Sequence, residues 1–183
     1  MFFVETGKDW QHGLLMVTPP MDKSLYEKRD RDVTYIIDTS GSMGGESIAQ
    51  AKKALRKALT RLAPEDSFNI IEFNSTASSL FKKSVPATTL AIDEADDFIA
   101  GLEAYGGTEM MPALEMALGS AGEGNNERLQ QIVFMTDGAV EHEEKLFKLI
   151  HNHLGERRLF TVAIGSAPNA YFMRKAAQFG RGS

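Results

Sequence analysis

The stretch Val33-Thr34-Tyr35-Ile36-Ile37-Asp38-Thr39-Ser40-Gly41-Ser42-Met43-Gly44-Gly45 changes character at Asp38. Before it stands an unbroken β-branched and aromatic run, which suits a strand buried on both faces. After it come hydroxyls and glycines, which end the strand in a turn. Beyond the turn the period changes. Ile48, Ala51, Leu55, Ala58, Leu59 and Leu62 recur at helical spacing up to Pro64, while Lys52, Lys53, Arg56 and Lys57 take the other faces. An amphipathic helix is therefore expected over about 46–62.

The alternation continues outward. Phe68–Phe73, Gln131–Thr136 and Leu159–Ile164 read as further strands, and 92–102, 110–119, 141–154 and 169–179 as helices, the last with Asn169 as its cap. Residues 74–91 read as a Ser/Thr-rich loop around a short strand near Leu80-Phe81, Gly106-Gly107-Thr108 as a turn, and Gly119–Asn126 as a loop. Strands alternating with helices imply βαβ units, so the fold class is doubly wound α/β: a mostly parallel sheet flanked by helices on both faces. Residues 1–32 read apart from this, as one strand at Leu14–Val17, stopped by Thr18-Pro19-Pro20, and a charged linker. The expected division is thus 1–32 and 33–183, and no repeat of about 20–50 residues suggests a solenoid.

Composition narrows the function. A length of 183 residues suits one domain, and 43% hydrophobic with 25% charged residues suits a packed core rather than disorder. Lys and Arg number 20 against 25 Asp and Glu, a net charge of −5, which argues against nucleic acid as a partner. The absence of cysteine excludes disulfides, thiolate zinc sites and a cysteine nucleophile. No signal-peptide pattern opens the chain and no run of about 18 apolar residues occurs, so a soluble fragment without direct membrane insertion is expected.

In open α/β sheets ligands bind beyond the carboxyl ends of strands, where the strand order reverses. Two buried strands here end in aspartate, at Asp38 and at Asp137, and the Gly106-Gly107 turn presents Thr108. With Ser40 and Ser42 the inventory is two carboxylates and three hydroxyls, without nitrogen or sulfur. Such a set suits a hard divalent cation such as Mg2+ or Mn2+. Positions 38, 40 and 42 would project to one side of an extended loop. The positive end of the following helix opposes a cation, but two carboxylates outweigh its half charge.

Asp38-Thr39-Ser40-Gly41-Ser42-Met43, Thr108 in Gly-Gly-Thr, and Asp137 in Phe-Met-Thr-Asp-Gly together resemble the metal-ion-dependent adhesion site of the von Willebrand factor type A domain. The resemblance covers about 33–179. Leu14–Pro20 with Arg29-Asp30 is similar to the branch found in inter-alpha-trypsin inhibitor heavy chains and bacterial sortase-target-like surface proteins. The resemblance implies a Rossmann-like, non-catalytic binding domain carrying Mg2+, with Mn2+ or Ca2+ as alternatives. Ser40 and Ser42 would be direct ligands, Asp38 and Asp137 direct or water-mediated ones, and Thr108 would join in the ligand-competent form. A protein partner's Asp or Glu carboxylate would complete the shell, and the parent protein would be extracellular or at the cell surface. Family members continue with another strand and helix, so the chain reads as C-terminally truncated. That leaves the strand at 159–164 as a sheet edge open to self-association, unless the strand at Leu14–Val17 covers an edge.

Other readings of these residues are plainer. Glu46, Glu109 and Glu141 stand near helix starts, where acids are common. His151 and His153 lie two apart on a helix and point to nearly opposite sides, and Lys52, Lys53, Arg56 and Lys57 form a solvated basic turn. A Mg2+-dependent phosphoryl-transfer enzyme is the competing class, but Ser40 stands where such an enzyme needs an acid two residues after its nucleophile. A structural domain with an incidental metal is the third.

Overall fold

The computed structural model describes residues 2–8, 10–16, 29–119, 128–138, 143–165 and 168–182. Ahead of the central run the sequence predicts one strand; the described residues hold two. Strands β1 (Phe2–Thr6) and β2 (Gln11–Leu15) pair antiparallel, with the Gly7 amide donating to the Trp10 carbonyl at 2.8 Å across the turn. All of β2 is exposed, as are Phe3, Val4 and Glu5 of β1, so neither shows there the alternation that marks a half-buried strand. Among the described residues this hairpin is a sheet of its own and pairs with no edge of the main one.

The main sheet grows around β3 (Arg31–Asp38). After it come α1 (Glu46–Leu59), β4 (Ser67–Phe73), β5 (Ala77–Ser79), β6 (Val85–Pro86), α2 (Thr89–Gly101) and α3 (Met110–Gly119). Then follow β7 (Leu129–Thr136), α4 (Glu143–His153), β8 (Arg158–Ala163) and α5 (Ala170–Phe179). The order is β5-β4-β3-β7-β8; β3 is parallel to β4 and β7, and β7 to β8, while β5 and β6 run antiparallel to β4. The doubly wound, mostly parallel α/β class is what forms.

Alternation along β3 divides the core. Ile36 faces a cluster with Phe73, Phe134, Leu114, Leu146, Ile150 and Phe172, under α3, α4 and α5. Val33, Tyr35 and Ile37 face the opposite cluster with Leu55, Phe68, Ile70 and Ile99, under α1 and α2. Each fully buried Phe, Ile or Leu contributes about 1.5–3 kcal/mol, and Phe73 stacks on Phe134 with centroids 5.5 Å apart.

Several boundaries differ from the sequence expectation. Two short strands, β5 and β6, flank Leu80-Phe81 instead of containing it, because β4 offers Ile71–Phe73 to one and Ser67–Phe68 to the other. Helix α2 begins at Thr89 rather than 92, since the Thr88 hydroxyl accepts from the Ala91 amide. Helix α1 ends at Leu59, where Thr60 turns the chain. Residues 141 and 142, placed in a helix by the sequence, and the loop 120–126 lie outside the described residues. Asn169 caps α5 as expected, its side chain accepting from the Phe172 amide at 3.1 Å.

The chain leaves β3 in opposite directions toward β4 and β7, so the crevice between the carboxyl ends of β3 and β7 is the switch point. At the other side β8 ends the path of strands. Arg181 bridges it at Leu159, and the Leu159 amide donates to the Gly180 carbonyl at 2.8 Å. By alternation Thr161 and Ala163 turn their backbone groups to the same side, where no further strand pairs among the described residues.

Candidate metal centre

Asp38 is the last residue of β3 and is fully buried. Both its oxygens are engaged: Oδ1 accepts from the Ser40 amide at 2.8 Å and Oδ2 from the Thr136 hydroxyl of β7 at 2.6 Å. Burial pushes the Asp38 carboxyl up from its ordinary range, the hydrogen bonds from Ser40 and Thr136 pull against this, and the charge of Asp137 adds to the rise. None of these neighbours is cationic. Asp137 stands directly after β7, half-buried, its carbonyl accepting from the Asn169 amide at 3.0 Å. Gly138 follows with φ of 78°, and its amide donates to the Thr136 hydroxyl at 3.0 Å. A Cβ there would lie 2.9 Å from that of Asn169, so both backbone conformation and space select glycine.

The loop after Asp38 is a tight 3-10 turn over Gly41–Met43, not the extended segment the spacing suggests. The Met43 amide donates to the Ser40 carbonyl at 3.0 Å, and buried Met43 anchors the turn. Even so, the Ser40 and Ser42 hydroxyl oxygens lie 3.0 Å apart, Ser40 buried and Ser42 exposed. Gly45, with φ of 71°, then leads into α1, and Glu46 occupies its first turn.

Thr108 arrives on a second loop tied to the first. The Gly41 amide donates to the Gly106 carbonyl at 3.1 Å and the Tyr105 amide to the Thr39 carbonyl at 2.9 Å. A third loop, after β4, holds the second: the Ser75 hydroxyl accepts from the Gly107 amide at 2.8 Å, and the Asn74 carbonyl from the Glu109 amide at 2.7 Å. Buried Asn74 also donates to the Thr39 hydroxyl at 3.3 Å. The structure thus joins the loops of Asp38, Ser40, Ser42 and Thr108, with Asp137 beside Asp38; Thr108 makes no side-chain hydrogen bond among the described residues. Thr39, Asn74, Ser75 and Thr136 are positioning residues that the sequence reading misses. Asn74-Ser75 is itself a strand exit, which is the signal that finds it.

The donor set fits a hard cation. All candidate ligands are oxygens, two hydroxyls already converge beside a buried carboxylate, and a second carboxylate repels the first. Among the described residues no three His, Cys, Asp or Glu side chains gather, so hydroxyls must supply much of any shell here. Of the other candidates, Glu46 and Glu109 are exposed and Glu141 lies outside the described residues. His153 Nδ1 lies 3.2 Å from the Leu149 carbonyl oxygen while His151 meets the edge of Phe179, so the two do not share a site. The basic turn of α1 is not simply solvated: Lys52 donates to the Ala100 carbonyl at 3.0 Å and Arg56 pairs with Asp96 at 2.5 Å, fastening α1 to α2.

A family model described as von Willebrand factor type A domain matches residues 31–183. Inter-alpha-trypsin inhibitor heavy chain H4 of Homo sapiens is 34% identical over 158 residues, covering 80% of this chain and 17% of that protein. The chain therefore spans only a small part of that relative. Among solved structures, a von Willebrand factor type A protein from Catenulispora acidiphila superposes with a TM-score of 0.75 at 23% identity, over 83% of this chain and 37% of that one. The manganese-loaded TRAP protein of Plasmodium vivax gives 0.70 at 21% identity, over 82% and 63%. At these identities the two structures speak for the fold.

Proposed function

Because this chain belongs to the von Willebrand factor type A domain family, we propose that it is a divalent-cation-dependent protein-binding module without catalytic activity. The reading assigns the cation, Mg2+ with Mn2+ or Ca2+ as alternatives, to Asp38, Ser40, Ser42, Thr108 and Asp137. It assigns the completing ligand to an Asp or Glu carboxylate of a protein partner. The module is taken as 33–183, with 1–32 as a segment apart. The observation that carries the reading is the pair of Ser40 and Ser42 hydroxyls, 3.0 Å apart, beside buried Asp38. With mainly neutral ligands the cation keeps enough charge to attract an external carboxylate. The manganese in the TRAP structure supports a metal in this fold. Ser40, where aspartyl-phosphate chemistry needs an acid, supports the non-enzymatic reading. The likeness to an inter-alpha-trypsin inhibitor heavy chain is the ground for placing the parent protein outside the cell or on its surface.

Calorimetric titration of metal-free protein with Mg2+ and Mn2+ tests the site. Saturable one-site binding that is lost in Asp38→Ala and weakened in Ser42→Ala is the expected result. The exposed Ser42 keeps the test valid if Asp38→Ala fails to fold. A wild-type protein that binds neither ion overturns the reading.

A further inference from the structure

At the opposite end of the sheet, where the strands begin, arginines collect. Three are consumed by the fold: Arg31 pairs with Asp66 at 2.5 Å, Arg157 donates to Gln130 Oε1 at 3.2 Å and to the His153 carbonyl at 3.1 Å, and Arg181 donates to the Gly155 and Arg157 carbonyls. Three others line one cavity of about 410 Å³ with Leu129, Gln130 and Glu156. Of these, Arg128 reaches only the Ser67 hydroxyl, while Arg29 and Arg158 have no hydrogen-bond or acidic partner among the described residues. Glu156 is the single acid on the lining and pairs with none of them.

This arrangement is biased in charge and in donors. Each guanidinium offers a planar fork of N–H groups and no acceptor, and Gln130 has its acceptor oxygen taken by Arg157, leaving its amide N–H groups as the unused end. Three guanidiniums against one carboxylate leave the lining positive within a chain of net charge −5. A tetrahedral anion supplies several acceptors at once and suits the planar guanidinium forks. We infer that this cavity is an oxyanion site that takes a phosphate or sulfate group. The inference does not depend on the metal centre.

Titration with inorganic phosphate and, separately, inorganic sulfate, at ionic strength held constant with chloride, tests it by calorimetry. The arm that saturates at lower concentration names the preferred group. Arg158→Gln is expected to weaken binding about tenfold, as for loss of a charge-assisted hydrogen bond, and Glu156→Gln to strengthen it. Arg29, outside the strands, provides a second variant if Arg158→Gln lowers the thermal midpoint. Lys53→Gln, on the exposed face of α1, is expected to change nothing. No saturation by either anion above the chloride control overturns the inference, as does binding indifferent to both arginine variants.

Discussion

The Thr136 hydroxyl donates to Asp38 Oδ2 across the β3–β7 boundary at 2.6 Å and accepts from the Gly138 amide at 3.0 Å. One side chain thus fixes the carboxylate of the first strand exit and the turn that carries Asp137. Thr136→Val keeps the shape but strands both groups in a buried place. We expect a loss of about 2–3 kcal/mol in urea unfolding, together with weaker Mn2+ binding by calorimetry. Unchanged stability and affinity would show that the bond is dispensable.

Ser75 offers a cleaner separation of fold from function. Its hydroxyl accepts from the Gly107 amide at an exposed position, so Ser75→Ala is expected to cost about 1 kcal/mol or less. By freeing the Thr108 loop it should nonetheless reduce Mn2+ affinity several-fold, and Ser75→Thr should restore it. Equal affinities in all three proteins would detach Ser75 from the site.

Acid sensitivity should trace to Asp66. Burial acts to raise its pKa, yet the hydrogen bonds from Arg31 and from the Ala63 amide, with the Arg31 charge, hold it below the usual carboxylate value. A folded pKa below the unfolded one gives stability that is fully present above the unfolded pKa, about 4, and lost as pH falls through the folded value. Asp66→Asn should therefore lower stability at neutral pH by about 2 kcal/mol and flatten the decline below pH ~4 in urea titrations. A parallel acid limb in the variant would assign the decline to other carboxylates.

The side of β8 away from β7 predicts self-association. Among the described residues, Thr161 and Ala163 present backbone groups there beyond the one bridge at Leu159. Sedimentation should show larger species as concentration rises, and Ala163→Pro should suppress them, since its amide faces away from β7. A wild-type protein that stays monomeric throughout would mean that this edge is not used.

Much of this is legible in the sequence itself. The runs Val33–Ile37 and Gln131–Thr136 announce buried strands because central parallel strands lack polar alternation, and their terminal aspartates mark the switch point. The hairpin at 2–15 is not, because strands exposed on both faces leave no periodic trace. Thr136 is hidden for another reason: its role is a bond between strands distant in sequence, and nothing local distinguishes it from an ordinary polar residue. Ser75 fell in a segment whose Ser/Thr content reads as generic loop.

The pairing of Ile37 with Met135 sets where β3 and β7 stop relative to each other. Sliding β7 by a single residue would bring Met135 or Asp137 to the place of the Thr136 hydroxyl and exchange the faces that Ile132 and Phe134, on one side, and Val133 and Met135, on the other, present to the two core clusters. The packing of Ile132 and Phe134 is consequently a ruler as well as a source of cohesion: it calibrates the spacing of two negative charges from well inside the protein. Damage to that ruler would silence the proposed cation site from a distance, in a molecule whose own surface there is chemically untouched.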